Sequence, residues 1–257
     1  MRIRLPWRKK KKFLQKLLII LAIVGPGIIS ATADNDAGGI TTYSIAGAHF
    51  GYQLLWVIFV TTFVLAITQE MGARLGTVTG KGLASLIREQ FGVRLTVFAM
   101  LTMFIANLGT ITSEFAGIAA SFELMGVTKY FAVPIFACIV WFVLYRGSFK
   151  IAEKIFLTFA LFYIVYIIGG FFVKPDWSRA LTALVTPSFD FNSVYIFTLI
   201  AVIGTTITPW GQFFIQSYVV DKGLSVKEYR YERWEVLFGA FLTNLISFFI
   251  IVTTANT

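Results

Sequence analysis

Charge is scarce in this sequence. Only 14% of its 257 residues are charged, against about 25% in a typical soluble domain. That deficit excludes an ordinary water-soluble globule. Cysteine is almost absent. Cys138 stands alone in an apolar stretch, so the chain builds no internal disulfide and no thiolate metal site. Histidine is as rare, His49 being the single one. No nucleophile–base pairing and no metalloprotease motif is present, so neither an enzyme nor a resident cofactor is expected. Low-complexity stretches and soluble domains are missing too.

What the chain has instead is hydrocarbon: 57% hydrophobic residues, 27 of them Phe. Long apolar runs recur from end to end, which predicts an all-α integral membrane protein. The formal net charge of +9 sits mostly in one tail, MRIRLPWRKKKKFLQK, at residues 1–16. A basic tail beside a hydrophobic helix is a cytoplasmic anchor facing anionic lipid. The lipid bilayer is therefore the expected partner, and nucleic acid is not. The tail, the apolar run and Ala31-Thr32-Ala33 together imitate a signal peptide. The run is long for that purpose, and more spans follow it.

Seven hydrophobic segments are legible, near 15–48 (broken at 33–39), 52–76, 95–125, 130–146, 151–173, 192–218 (broken near 208–211) and 235–254. The third is longer than the ~20 residues a span needs, so it is expected to tilt or to project. With the N-terminus in the cytoplasm, nineteen basic residues fall on the inside. Only Lys129, Lys174 and Arg179 fall outside. That asymmetry supports seven spans in this orientation, most simply in the plasma (cell inner) membrane. The chain stops at IIVTTANT, at the end of span seven. An odd count ending there is expected of a fragment of a longer transporter, with a natural seven-span protein as the alternative.

Two spans are interrupted. In the first, ISATADNDAGGITTYS (29–44) places Asp34 and Asp36 at membrane depth. Each costs about 2.5–3.5 kcal/mol on insertion scales. Such residues face a cavity and mark a substrate path. Gly38 and Gly39 favour unwinding, and freed carbonyls are tolerable only beside protein, water or an ion. Carboxylates and carbonyls are hard oxygen ligands suited to a divalent cation. The spacing also imitates the start of an EF-hand, but Ile45 stands where a bidentate Glu is required. In the sixth span, GTTITPWG (204–211) combines Pro209, two glycines and three threonines. Pro209 removes a backbone donor and ends or kinks the helix. Interruptions five spans apart are the pattern of two inverted five-helix repeats meeting at a midplane site. The expected organisation is a tail at 1–14, a first repeat at 15–173, and spans six and seven of an incomplete second repeat at 174–257.

With these features in view, the sequence resembles the natural resistance-associated macrophage protein (NRAMP) family of divalent-metal transporters. The resemblance runs through GPGIIS (25–30), GAHFGYQLLW (47–56), Gln69, ARLGTVTGKGLASLIRE (73–89), SEFAGIAA (113–120) and GTTITPW (204–210). It implies a LeuT-type fold and alternating access. The family's first-helix motif, Asp-Pro-Gly-Asn, falls on Asp36-Ala37-Gly38-Gly39. Its metal-binding Asp is kept as Asp36, while Gly39 replaces the Asn ligand. Its Met-Pro-His falls on Thr208-Pro209-Trp210. The ligand carbonyls correspond to Ala33 and Thr205. Of the acids on span three, Glu114 is kept and Ile111 has lost its carboxylate.

These departures shape the expectation. Losing Met and Asn together leaves a roomier, harder site. Mg²⁺ sheds water reluctantly and usually keeps several waters. The sequence therefore looks like the NRAMP-related magnesium-transporter branch, with Mn²⁺ as possible co-cargo. The metal site is expected to use Asp36, Gly39, Ala33, Thr205 and Thr208, with Asp34, Glu114 and Trp210 on the pathway. Weak proton coupling is expected because Trp210 and Ile111 do not titrate. The alternatives are a proton-coupled Mn²⁺/Fe²⁺ carrier of the same family and an amino-acid transporter of the same fold. On span three, Asn107, Thr110, Glu114, Gly117 and Ser121 form one helical stripe, which either lines the pathway or packs on the first helix. Glu123 and His49 are expected at the outer surface. Glu70 and Arg74 form a structural i,i+4 pair.

Overall fold

The computed structural model describes residues 35–146, 161–223, 226 and 229–257. The basic tail, Ala33, Asp34 and the first part of span five lie outside the described residues.

The described chain is helical. Helix α1 is Ala37–Phe50, α2 Leu55–Thr79, α3 Leu83–Leu124 and α4 Lys129–Arg146. A short 3-10 turn, Leu161–Tyr163, leads into α5, Ile164–Phe172. Then come α6 Trp177–Val185, α7 Ser193–Thr206, α8 Pro209–Asp221 and α9 Tyr229–Thr254. Four described stretches are long and apolar enough to cross a bilayer: Leu55–Thr79, Leu83–Leu124, Ser193–Asp221 and Glu232–Thr254. They coincide with spans two, three, six and seven of the sequence reading.

Helices α2 and α9 form the centre. Leu54, Leu55, Val57 and Ile58 meet Ile250, Ile251 and Val252 in one buried cluster. Helices α1 and α5 pack on α9, while α7 and α8 pack on α2. Helix α3 leans on α1 and α8 from outside and has no buried residue. Its Phe98, Leu101, Phe104 and Ile105 point outward, as suits a hydrocarbon environment.

Close approach between α1 and α9 depends on Gly47. A Cβ there would lie 2.5 Å from the Ile251 carbonyl and strike the Thr254 hydroxyl. Overpacking of this kind costs about 1–3 kcal/mol. Gly47→Val is therefore expected to lower the unfolding temperature in detergent. Ala48→Val, at an exposed neighbour, should leave it unchanged.

Three features depart from the sequence reading. The first break ends before residue 39, because α1 already begins at Ala37. Asp36 caps that helix, and a good N-cap outweighs two glycines. Span three begins with an added helical arm, residues 83–91, set off by Gly92 at φ 80°, ψ 176°. Only glycine takes that conformation cheaply. Helix α6 was not anticipated. Asp176 accepts from the Arg179 N–H to start it, and Trp177 packs on Phe171 and Phe249.

After the break in span six, Lys222 at the end of α8 pairs with two buried carboxylates of α9. Lys222 Nζ lies 3.2 Å from Glu235 and 3.3 Å from Glu232. Burial alone would push the ammonium down. The two carboxylates outweigh it and hold Lys222 above its ordinary value. Glu70 pairs with Arg74 as expected and also accepts from the Tyr229 hydroxyl. Glu123 is an exposed partner of Lys129.

Candidate functional site

Both interruptions open onto one cavity of about 370 Å³. From the first come Asp36, Gly38, Thr41 and Thr42. From the second come Gly204, Thr205, Thr208, Pro209 and Trp210. Helix α3 closes the far side with Asn107, Thr110 and Ser113.

Asp36 is extended (φ −70°, ψ 177°) and caps α1. Its Oδ1 accepts from the Gly39 N–H at 2.6 Å. A carboxylate has further lone pairs, so the cap leaves Asp36 able to meet a cation. Glu114 stands beside it, and its Oε1 accepts from the Ala37 N–H at 3.1 Å. The two acids thus share the first turn of α1, where backbone donors favour negative charge.

The second break is a true interruption. Helix α7 ends at Thr206, and α8 restarts with Pro209 in its first turn. Proline suits that position because no donor is needed there. The same missing N–H leaves the Thr205 carbonyl, four residues earlier, without its helical donor. Thr208 is the N-cap of α8 but makes no side-chain capping bond. A carbonyl and a hydroxyl are therefore presented at the cavity wall.

Asp36, Thr205, Thr208 and Trp210 are thus brought to one wall. Glu114 does not line the cavity and is bonded to the first turn of α1 instead. Gly39 is buried in the first turn of α1, and it is Gly38 that lines the cavity. Ala33 and Asp34 fall outside the described residues. The polar stripe on α3 divides. Asn107 and Thr110 line the cavity, whereas Glu114 and Gly117 pack on α1, a Cβ on Gly117 meeting Ala37 at 2.6 Å.

The sequence reading missed Ser113, Thr41, Thr42 and Tyr43. Ser113 sits three residues after Thr110, so the stripe spacing was the signal for it. Tyr43 Oη lies 2.9 Å from Thr206 Oγ1 and ties α1 to α7 beneath the site. Buried polar pairing across 163 residues leaves no local signature. Among the described residues, no group of three or more His, Cys, Asp or Glu side chains gathers into a metal cluster. The donors here are one carboxylate with hydroxyls, an amide and carbonyls.

Comparison with known proteins bears on the fold and the family. The family model for natural resistance-associated macrophage protein-like proteins matches residues 27–257. Divalent metal cation transporters MntH from two Klebsiella pneumoniae strains are 30% identical over 241 residues, covering 91% of this chain and 58% of theirs. The crystal structure of the Eremococcus coleocola manganese transporter, with an aromatic bis-isothiourea substituted compound, superposes with a TM-score of 0.78. It is 23% identical and covers 92% of this chain and 51% of its own. A histidine-to-alanine mutant of that transporter superposes at 0.75 with 22% identity. This chain thus spans little more than half the length of these relatives. The shared architecture is the LeuT-type fold of an integral membrane protein. The chain belongs to the Nramp family.

Proposed function

We propose that the protein is a secondary transporter that carries divalent cations across a membrane by alternating access, with Mg²⁺ as preferred cargo and Mn²⁺ as a weaker one. The cavity carries this reading. Its lining offers Asp36, threonine and serine hydroxyls, Asn107 and the Thr205 carbonyl, with no sulfur and no imidazole. Hard oxygen donors suit Mg²⁺ and Mn²⁺. Mg²⁺ keeps its waters, and six waters occupy roughly 180 Å³ at about 30 Å³ each. A cavity of about 370 Å³ has room for such a hydrated ion. Thr208 then touches the ion through water rather than directly. The excess of basic residues on one side supports a cytoplasmic N-terminus in a plasma membrane.

The transition-metal reading has one observation in its favour, the retention of Glu114 beside Asp36. The amino-acid reading fares worse. A substrate carboxylate would need free N–H groups at the start of α1. Those of Ala37 and Gly39 are already given to Glu114 and Asp36.

Competitive uptake by the intact protein in liposomes tests the preference. Excess Mg²⁺ is expected to suppress Mn²⁺ entry, with Ca²⁺ a poorer competitor. Mn²⁺ entry indifferent to Mg²⁺ would overturn the assignment. A binding measurement reads the ligand set. Thr208→Met, alone and with Gly39→Asn, restores a soft donor at the family position. Calorimetric titration of the double variant should show the Mn²⁺ or Cd²⁺ to Mg²⁺ affinity ratio rising at least tenfold. An unchanged ratio would mean these two positions do not face the ion.

A further inference from the structure

Asn35 immediately precedes Asp36, is fully buried, and has no place in the ligand set. Its side chain is fastened to α9 at both ends. Nδ2 donates to the Thr243 carbonyl at 3.2 Å, and Oδ1 accepts from Ser247 Oγ at 3.0 Å. Its backbone carbonyl accepts from the Tyr163 hydroxyl at 2.5 Å. Three bonds from three residues, all more than 120 positions away, thus converge on one non-helical residue.

We infer that Asn35 is a positioning residue: it clamps the interrupted strand onto α9 and so fixes the direction in which Asp36 meets the cation. The physical case is one of constraint. A residue outside a helix has no ladder to hold its backbone, and its torsions carry over directly to the next side chain. Buried polar groups in fixed geometry define a unique arrangement. With Asn35 held on α9 and Tyr163, the backbone entering Asp36 has one orientation. The Asp36 carboxylate then reaches both the Gly39 N–H and the cavity. A side-chain amide bonded through both its nitrogen and its oxygen is also what a purely apolar residue at this position cannot supply. Tyr163 adds a second effect. It occupies the Asn35 carbonyl, which is thereby withdrawn from the cation and leaves the Asp36 carboxylate as the next oxygen donor toward the cavity.

This inference rests on the proposed cation site, and its test separates the two. Asn35→Leu removes both side-chain bonds. Ser247 keeps its own bond to the Thr243 carbonyl, so no hydroxyl is stranded. Tyr163→Phe removes the bond to the Asn35 carbonyl. Hydrogen–deuterium exchange of the intact protein reads the clamp without reference to cargo. Peptides covering residues 36–42 should exchange at least tenfold faster in Asn35→Leu, while those covering 248–254 stay as in the unaltered protein. Tyr163→Phe should move the same peptides by less. In liposomes the KM for Mg²⁺ should rise about tenfold with the maximal rate within twofold. The double variant should be less than additive, since both bonds hold one residue. Unaltered exchange across 36–42 in a folded Asn35→Leu protein would overturn the clamp, whatever the cargo. Faster exchange with an unchanged KM would overturn its role in positioning Asp36. If the unaltered protein moves no dication, the proposed function fails and the exchange result alone decides the clamp. Should Asn35→Leu not fold, Ser247→Ala with Tyr163→Phe replaces it, under the same criteria.

Discussion

Asp36→Asn is expected to abolish divalent-metal uptake while leaving the fold intact. The substitution is unusually clean at this position. Asn and Asp are comparable N-caps, so the bond to the Gly39 N–H at 2.6 Å is retained. Side-chain volume hardly changes, and α1 starts where it did. What is lost is one negative charge facing the cavity. A dication about 4 Å from a carboxylate gains roughly 8 kcal/mol at an effective dielectric near 20, before the cost of stripping water. Among the described residues, no other donor on the cavity wall compensates. The hydroxyls, Asn107 and the Thr205 carbonyl are neutral, and Glu114 is held at the start of α1 by the Ala37 N–H. Initial uptake at low metal should fall by roughly a hundredfold or more, each tenfold being about 1.4 kcal/mol. Expression, detergent monodispersity and unfolding temperature should stay near those of the unaltered protein. Uptake at the ordinary rate would remove Asp36 from the site. A collapse in folded yield would instead assign the negative charge to holding the fold, since the cap is kept.

That contrast shows what was legible beforehand. Asp36 stood out because an acid inside hydrocarbon has few permitted roles. Pro209 stood out because it removes a donor that a helix needs. Both are local chemical facts, and each led to one wall of the cavity. The extent of the first break was not local. Gly38 and Gly39 suggested unwinding through residue 39, yet the Asp36 cap restarts the helix at Ala37. Asn35 carried no signal at all. Its importance comes from Thr243 and Ser247, some 210 positions later, and no periodicity connects them. The helix Trp177–Val185 was passed over for another reason. Its amphipathic pattern is too short and too polar to register as a span, and spans were the pattern being sought.

Uptake is expected to run without a fixed proton stoichiometry. Coupling needs a group that takes up and releases a proton as the ion moves. Histidine is the side chain whose unperturbed pKa lies best for that near neutrality. At the position where the family resemblance places a histidine, Trp210 lines the cavity. Where it places a second acid on span three, Ile111 stands on the exposed face of α3. Neither exchanges protons. Among the described residues, Asp36 and Glu114 are the carboxylates left at the site, and Asp36 is the one proposed to hold the ion. The membrane potential is a sufficient drive by itself. It supplies about 2.3 kcal/mol per charge per 100 mV, so roughly 4.6 kcal/mol for a dication. At about 1.4 kcal/mol per tenfold, an inside-negative potential of that size accumulates Mg²⁺ more than a thousandfold. Liposomes loaded with a pH-sensitive dye, with the potential clamped, make the measurement direct. Added external Mg²⁺ should enter with no matching acidification. Changing the clamp should shift the plateau along the dication slope. Acidification in fixed ratio to the metal entering, persisting under the clamp, would overturn the uncoupled mechanism and leave Glu114 and Asp34 as the candidate proton carriers, with Glu114 tested first. Glu114→Gln should then abolish the acidification and leave downhill Mg²⁺ entry in place.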